Sequence, residues 1–348
     1  MLNNYPAPLK ILTFGAGAIG TYIGGSLTLN GQKVVFLERP QIAQDIRSRG
    51  MRLEINGQHH IITDPKTVGS LEEALQFGPF DIGIFALKSF HTEGIMKSLL
   101  SHGKKIPPLL CLQNGVDNED TLSRGLGNDN VIPGTVTSSI GRLDAGNIRL
   151  EKKRGIGIAD GYPLSHRLVK AFNEANLNAK LYSQPAAMKW SKMLTNLMAN
   201  ASAAIFDMSP AEVFAHPSLY RLEVRQFREA LAVMRAQNLH PVDLPKTPVK
   251  LLSWAIRFLP VKLSQPLIQN AVGGGRGAKM PSFHIDLFSG RGHSEVDYLN
   301  GAVVRFGEEF GVPTPVNHLL NETLLQLTRG EIPLETYAHQ PEKLLGEL

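Results

Sequence analysis

The chain has 348 residues, 43% hydrophobic and 19% charged, which suits a globular protein of two domains and excludes disordered, collagenous and membrane-embedded classes. Its formal net charge of +5 fits an anionic ligand, but the longest basic run is Lys152, Lys153 and Arg154 without interleaved aromatics, which argues against nucleic acid. The single cysteine, Cys111, excludes an internal disulfide framework and reads as inert core in an apolar strand.

Residues 9–14 form a short apolar run followed by Gly15-Ala16-Gly17-Ala18-Ile19-Gly20 and then a helical stretch. In a strand–GxGxxG–helix unit the first glycine permits the tight turn and the second lets backbone approach a pyrophosphate. The third lets the helix lie close on the strand, and the helix N-terminus faces the phosphates. A second strand at 33–37 ends in Glu38 and Arg39, 18 and 19 residues past Gly20. A carboxylate there suits a free ribose 2′-hydroxyl and NAD, whereas an arginine pairs with a 2′-phosphate; Arg39 tips the expectation to NADP. Residues 53–62 read as a hairpin about Asn56-Gly57, 81–87 and 108–112 as buried strands, and the text after Asn128 as hairpin-like. A helix at 164–176 and a strand at 179–182 close the region.

The expected fold is therefore α/β, with an N-terminal Rossmann-type doubly wound sheet carrying a small antiparallel addition (1–183). An all-α C-terminal domain (184–348) follows. Its helical periodicity runs at 186–206, 210–215, 218–238, 248–259, 295–310 and 315–329. The cluster GGGRG at 273–277 reads as a surface loop rather than a phosphate cradle, because no strand precedes it. The eleven histidines show no ligand spacing, and no metal is expected. The N-terminus lacks a signal-peptide pattern, and LLSWAIRFLPVKL is interrupted by Arg257, Pro260 and Lys262; a cytoplasmic protein without a membrane partner is expected.

Within 186–206, Lys192, Asn196 and Asn200 recur every four residues, which on one continuous helix puts them on one face. Hydride reduction of a ketone leaves an alkoxide that must be protonated. A lysine ammonium can polarise the oxygen and supply that proton, while neighbouring amides fix the substrate's other polar groups. A solvated face shared with Ser191 and Thr195 is the bland alternative. Glu295 and Asp297 open a later helix, where they are either capping carboxylates or functional. Asn114, in QNG after the 108–112 strand, falls at the carboxyl edge of the sheet, where such folds bind ligands.

Taken together, GxGxxG, a strand ending in Leu-Lys (FALKSF), QNG, K-x3-N-x3-N, and EVDYLNG leading to GVPTP resemble the ketopantoate reductase (2-dehydropantoate 2-reductase) family from Lys10 to about Leu325. By that resemblance Lys192 is the general acid, Asn196 and Asn200 hold substrate, and Glu295 closes the site beside the nicotinamide ribose and substrate. Ser282 binds the substrate carboxylate, with Lys279 lining the same pocket. The glycine turn, Lys88, Asn114 and Arg39 contact the cofactor. The implied reaction is reduction of 2-dehydropantoate to (R)-pantoate with NADPH, on the way to pantothenate and coenzyme A. Two alternatives stay open: a reductase of another small 2-oxo acid, and a non-catalytic NADP-binding sensor. The partner expected is a small 2-oxo acid, with a homodimer left open. Residues 251–277 are an insertion relative to compact members.

Overall fold

The computed structural model describes residues 7–276 and 279–347, with side chains described outside 270–278. The chain divides into two compact units. The first runs up to Gln113 and takes in Asn118–Pro185 and Pro245–Thr247; the second comprises Asn114–Asp117, Ala186–Leu244 and the residues from Pro248 onward.

The first unit contains β1 (Lys10–Phe14), α1 (Ala18–Leu29), β2 (Lys33–Leu37), α2 (Pro40–Arg49), β3 (Met51–Ile55), β4 (Gln58–Ile62) and β5 (Thr67–Val68). These are followed by α3 (Leu71–Gln76), β6 (Ile82–Phe85), α4 (Thr92–His102), β7 (Leu109–Cys111) and α5 (Asn118–Leu126). Then come β8 (Val131–Val136), β9 (Ser139–Asp144), β10 (Asn147–Lys152), β11 (Ile156–Ala159), α6 (Ser165–Glu174) and β12 (Ala179–Tyr182). Eight strands form one sheet in the order β12-β11-β8-β7-β6-β1-β2-β5. Its pairs are parallel except β8–β11. Alternate residues of the strands feed two separate cores: Ile11, Phe36, Ile84, Leu110 and Ile132 on one face, Phe14, Val35, Phe85, Leu109 and Cys111 on the other. Burial on both faces is why these strands read as unbroken apolar runs. Strand order reverses between β1 and β6, the switch point at whose carboxyl ends such sheets bind ligands.

The antiparallel addition proves to be a separate sheet, β4-β3-β10-β9. The β3–β4 hairpin turns through Asn56 and Gly57, both at positive φ (52° and 77°), as a tight two-residue turn requires. It then pairs in parallel with β10, a partner nearly a hundred residues later. Hairpin spacing in the sequence says nothing about that long-range pairing.

The second unit is helical: α7 (Pro185–Leu197), α8 (Ala201–Phe206), α9 (Pro210–Ala215), α10 (Pro217–Ala236), α11 (Val249–Phe258), α12 (Val261–Arg276), α13 (Ser282–Phe288), α14 (Val296–Glu309), α15 (Pro315–Arg329) and α16 (Pro341–Leu345). Two expectations are corrected here. The run 186–206 is two helices, because Ala199 adopts a left-handed conformation (φ 48°) that ends α7 and costs about 1–2 kcal/mol. The glycine cluster is not a loop: the backbone of Gly273 to Arg276 continues α12, and Gly277 lies outside the described residues. Helix α12 begins at Val261, well before the glycines, so they extend an existing helix and nucleate nothing.

Candidate active site

The glycine turn is built to admit a dinucleotide. Gly15 has φ 92°, a Cβ on Gly20 would meet the Gly15 carbonyl oxygen at 1.9 Å, and a Cβ on Gly17 would meet nothing within 4 Å. The first and third glycines are thus required by the fold, while the second keeps open the space a pyrophosphate needs. Gly17 caps α1 without a side-chain bond, and no acidic residue occupies the first turn. These features fit the group the motif implies. The turn lies beside the end of β6, where Leu87 Cδ2 would be 3.1 Å from a Cβ on Gly15. Half-buried Lys88 follows it in extended conformation. Gln113 fixes that loop by donating to the Leu87 carbonyl (3.1 Å) and to Thr92 Oγ1 (2.9 Å).

Glu38 and Arg39, which argued in opposite directions, are used differently. Glu38 Oε1 accepts the Ala16 amide (2.6 Å) and Oε2 accepts the Arg39 amide (3.2 Å), so its carboxylate is turned inward on backbone donors. The Arg39 side chain is exposed.

In the helical unit, Lys192 Nζ donates to Asn196 Oδ1 (2.8 Å), and Asn196 Nδ2 donates to Asn114 Oδ1 (3.0 Å). Asn114 sits on the turn made by Gly115 at φ 93°. Ser191 does not share a solvated face, since it is fully buried and accepts the Val242 amide (2.8 Å), while Lys192, Thr195 and Asn196 are half-buried. Lys192 and Asn196 share a helix face as expected; Asn200 does not continue it, because the break intervenes. Asn200 instead caps α8, is buried, and its Oδ1 accepts the Phe283 amide (3.2 Å) at the start of α13. That bond sets Ser282, the exposed first residue of α13, next to Asn200. Lys279 is also exposed.

Glu295 is 3% exposed and occupies the N-cap of α14, yet makes no capping bond; Ser294 Oγ takes the Val296 amide (3.2 Å) instead. The two carboxylates of this helix therefore part ways. Asp297 pairs with Arg305 (3.1 Å), which also holds Asp117 (2.7 Å), and burial of this guanidinium is outweighed by the two carboxylates that raise its pKa.

Sequence reasoning missed the group that makes the α7–α8 break. Glu223 on α10 is fully buried; its Oε2 accepts the Ala199 amide (2.7 Å) and Gln226 Nε2 (2.6 Å), and its Oε1 accepts the Ser202 hydroxyl. Gln226 continues to Asn300 (3.2 Å) and Asn300 to Asn317 (3.1 Å). A signal was present: Glu223 lies four residues from both Leu219 and Phe227, on the apolar stripe of α10, where an acid is out of place unless paired.

No group of metal-ligating side chains occurs among the described residues, and no described helix is long and apolar enough to cross a membrane. Residues 11–161 match the family described as Ketopantoate reductase PanE/ApbA, and residues 186–328 match its C-terminal region. The chain belongs to the PanE/ApbA ketopantoate reductase family. It is similar to the 2-dehydropantoate 2-reductase of Lactococcus lactis subsp. lactis, 23% identical over 319 residues that cover 90% of this chain and 96% of the relative. A PanE/ApbA family ketopantoate reductase from Ralstonia eutropha JMP134 shares the fold at a TM-score of 0.77 (24% identity, 93% and 99% of the two chains). So does a D-mandelate dehydrogenase solved with NADH and anilino(oxo)acetate, at 0.75 (22%, 94% and 100%). Family membership makes the chain a ketopantoate reductase-like oxidoreductase with an NAD(P)-binding fold.

Proposed function

We propose that this protein reduces 2-dehydropantoate to (R)-pantoate with NADPH, a step toward pantothenate and coenzyme A. The observation that carries the reading is the hydrogen-bonded line from Lys192 through Asn196 to Asn114. It holds a lysine ammonium at a fixed place, which a proton donor needs and a surface lysine lacks. The bound nicotinamide supplies the hydride. Lys192 polarises the oxo oxygen and delivers a proton from Nζ as the alkoxide develops. Asn196 keeps that ammonium directed by accepting one of its hydrogens, and its own orientation is set by Asn114.

Asn200, with Oδ1 spent on the Phe283 amide, offers its Nδ2 to a substrate oxygen. Ser282 and Lys279 take the substrate carboxylate, and Glu295 binds the nicotinamide ribose and substrate hydroxyl. The amides of the first turn of α1, from Ala18 onward, receive the pyrophosphate, those of Gly15 and Ala16 being taken by the Leu37 carbonyl and Glu38, and Lys88 and Asn114 steady the cofactor. Arg39 pairs with the 2′-phosphate, while the Glu38 carboxylate stays held on the Ala16 and Arg39 amides.

The test is NADPH oxidation with 2-dehydropantoate against a panel of linear, branched and aryl 2-oxo acids. Highest kcat/KM with 2-dehydropantoate supports the proposal; turnover confined to aryl 2-oxo acids selects the second reading. That reading is favoured by the fold shared with a D-mandelate dehydrogenase solved with anilino(oxo)acetate. No turnover with any 2-oxo acid, despite NADPH binding, selects the sensor.

A further inference from the structure

Helices α11 and α12 are firmly docked by their inner faces. Val249, Ile256 and Ile268 are buried, Arg228 Nε donates to the Ile256 carbonyl (2.9 Å), and the Tyr220 hydroxyl donates to Ser264 (2.8 Å). Their outer faces are nevertheless apolar: Leu251, Trp254, Phe258, Leu263 and Leu267 are each 51–63% exposed. Leu251, Trp254 and Phe258 recur at i, i+3 and i+7, and Leu263 and Leu267 at i and i+4, so each set forms one stripe. Exposure of five large apolar side chains on two successive helices marks an interaction surface.

The charged residues of the two helices' exposed segment carry one sign. Residues 249–269 include Lys250, Arg257 and Lys262 and no aspartate or glutamate. At the end of the stripe, Arg235, His240, Lys250, Arg257, Trp254 and Phe258 line a cavity of about 180 Å³, smaller than the ~300–1,000 Å³ of drug-sized ligand sites. Ser253 also lines it, is 6% exposed, and has a buried Oγ with no hydrogen-bond partner among the described residues. A buried hydroxyl without a partner is costly, and this one belongs to a residue that lines a small cationic cavity. Asp243, six residues before α11, accepts the Lys250 backbone amide in its first turn (2.9 Å).

We propose that the outer face of α11 and α12 lies on an anionic lipid surface, with the apolar stripe in the acyl boundary and a lipid phosphate in the Arg235–Lys250–Arg257 cavity. A lipid bilayer surface presents apolar depth and negative charge side by side, as this face demands. A second copy of the chain paired through the same patch would bring two sets of Lys250, Arg257 and Lys262 into one interface, with no aspartate or glutamate of residues 249–269 to pair them. The sequence-based expectation of no membrane partner rested on the lack of a spanning segment, which does not bear on helices lying flat.

The experiment is co-sedimentation of the full chain with phosphatidylcholine vesicles, with and without phosphatidylglycerol, alongside tryptophan emission. Trp190 is buried, so a blue shift on adding vesicles reports Trp254. The expected result is partitioning onto phosphatidylglycerol vesicles at least about tenfold above phosphatidylcholine, weakened by salt. It should be lost in both Lys250→Glu/Arg257→Glu and Leu251→Ser/Phe258→Ser variants, with 2-oxo acid turnover unchanged. Equal binding to both vesicle types, or to neither, overturns the proposal. A Trp254 shift with soluble glycerol phosphate but not with vesicles also overturns it and assigns the cavity to a free phosphate ester. Self-association in the absence of lipid that Leu251→Ser/Phe258→Ser abolishes assigns the face to a second copy and overturns it as well.

Discussion

The turn at 15–20 and the break at 198–200 both interrupt regular structure to present functional groups, and they are built in opposite ways. The turn is made chiefly by its glycines: Gly15 supplies a positive φ, Gly20 supplies absent bulk, and Gly17 supplies open space. Its three glycines lie within six residues, and the outside support comes from the next strand, where the Leu37 carbonyl and Glu38 Oε1 accept the Gly15 and Ala16 amides. The break is held from afar, by a buried carboxylate on α10 that accepts the Ala199 amide 24 residues away, and its product is the placement of one asparagine. A binding surface made of amides tolerates a local recipe, whereas the proposed proton-delivery site, made of side chains, depends on whatever fixes those side chains.

The sharpest separation of the two comes from Lys192→Ala. It should lower kcat by roughly 10²–10⁴, the usual contribution of a positioned general acid, and leave NADPH affinity intact by fluorescence titration. A loss below about threefold would remove Lys192 from proton delivery.

On the other side, Gly20→Ala and Gly17→Ala should differ from one another. The first forces a Cβ against the Gly15 carbonyl, so both thermal stability and cofactor binding fall. The second meets open space in the chain itself, so Tm holds while NADPH affinity drops roughly tenfold or more through collision with the pyrophosphate. A matched loss of Tm in both variants would contradict the division of roles among the glycines.

Glu223→Ala probes the distant support of the break. The exposed cost is an unsatisfied Ala199 amide in the core, roughly 1–3 kcal/mol of stability by denaturant titration. Because Asn200 shifts with the break, kcat/KM for the oxo acid should fall while NADPH binding stays. Kinetics at the wild-type level in a destabilised variant would make Glu223 a purely structural group.

Arg39→Ala should raise KM for NADPH by roughly 10–100-fold, the equivalent of a charge-assisted hydrogen bond, with little change for NADH. An unaltered NADPH to NADH ratio would mean that Arg39 does not read the 2′-phosphate.

The smallest effect concerns Glu229. It accepts the Val316 and Asn317 amides (3.0 and 2.9 Å), but burial dominates and raises its pKa above the ordinary glutamate value. The folded chain therefore holds this proton more tightly than the unfolded chain. The associated stability is present below the ordinary glutamate pKa and is lost as pH rises through the raised one. Across that window, Tm of the wild type should decline relative to Glu229→Gln; parallel curves would mean that the group titrates normally.

Much of the molecule was legible because its signals are local. The buried strands announce themselves as apolar runs, and β2 and β12 fall at 33–37 and 179–182 as their patterns indicate. Lys192 and Asn196 share a helix face for the same reason, a spacing of four. The reading failed where a distant partner outweighed local periodicity. Helical pattern runs unbroken through Met198-Ala199-Asn200, and the left-handed Ala199 is held by a distant carboxylate, Glu223, that accepts its amide. The glycine cluster at 273–277 carries a loop composition, yet α12 is already helical twelve residues before it, which overrides the roughly 1 kcal/mol each glycine costs.

The sequence by itself determined the dinucleotide-binding turn, the order of sheet and helices, and the family, because each depends on residue types at fixed short spacings. Only the tertiary structure decided that Glu38 turns inward, that Glu295 is buried without capping its helix, that Asn200 reaches α13, and that β3–β4 joins β10. Those outcomes are choices among hydrogen-bond partners far apart in the chain, and each buried donor or acceptor takes the partner that packing brings to it.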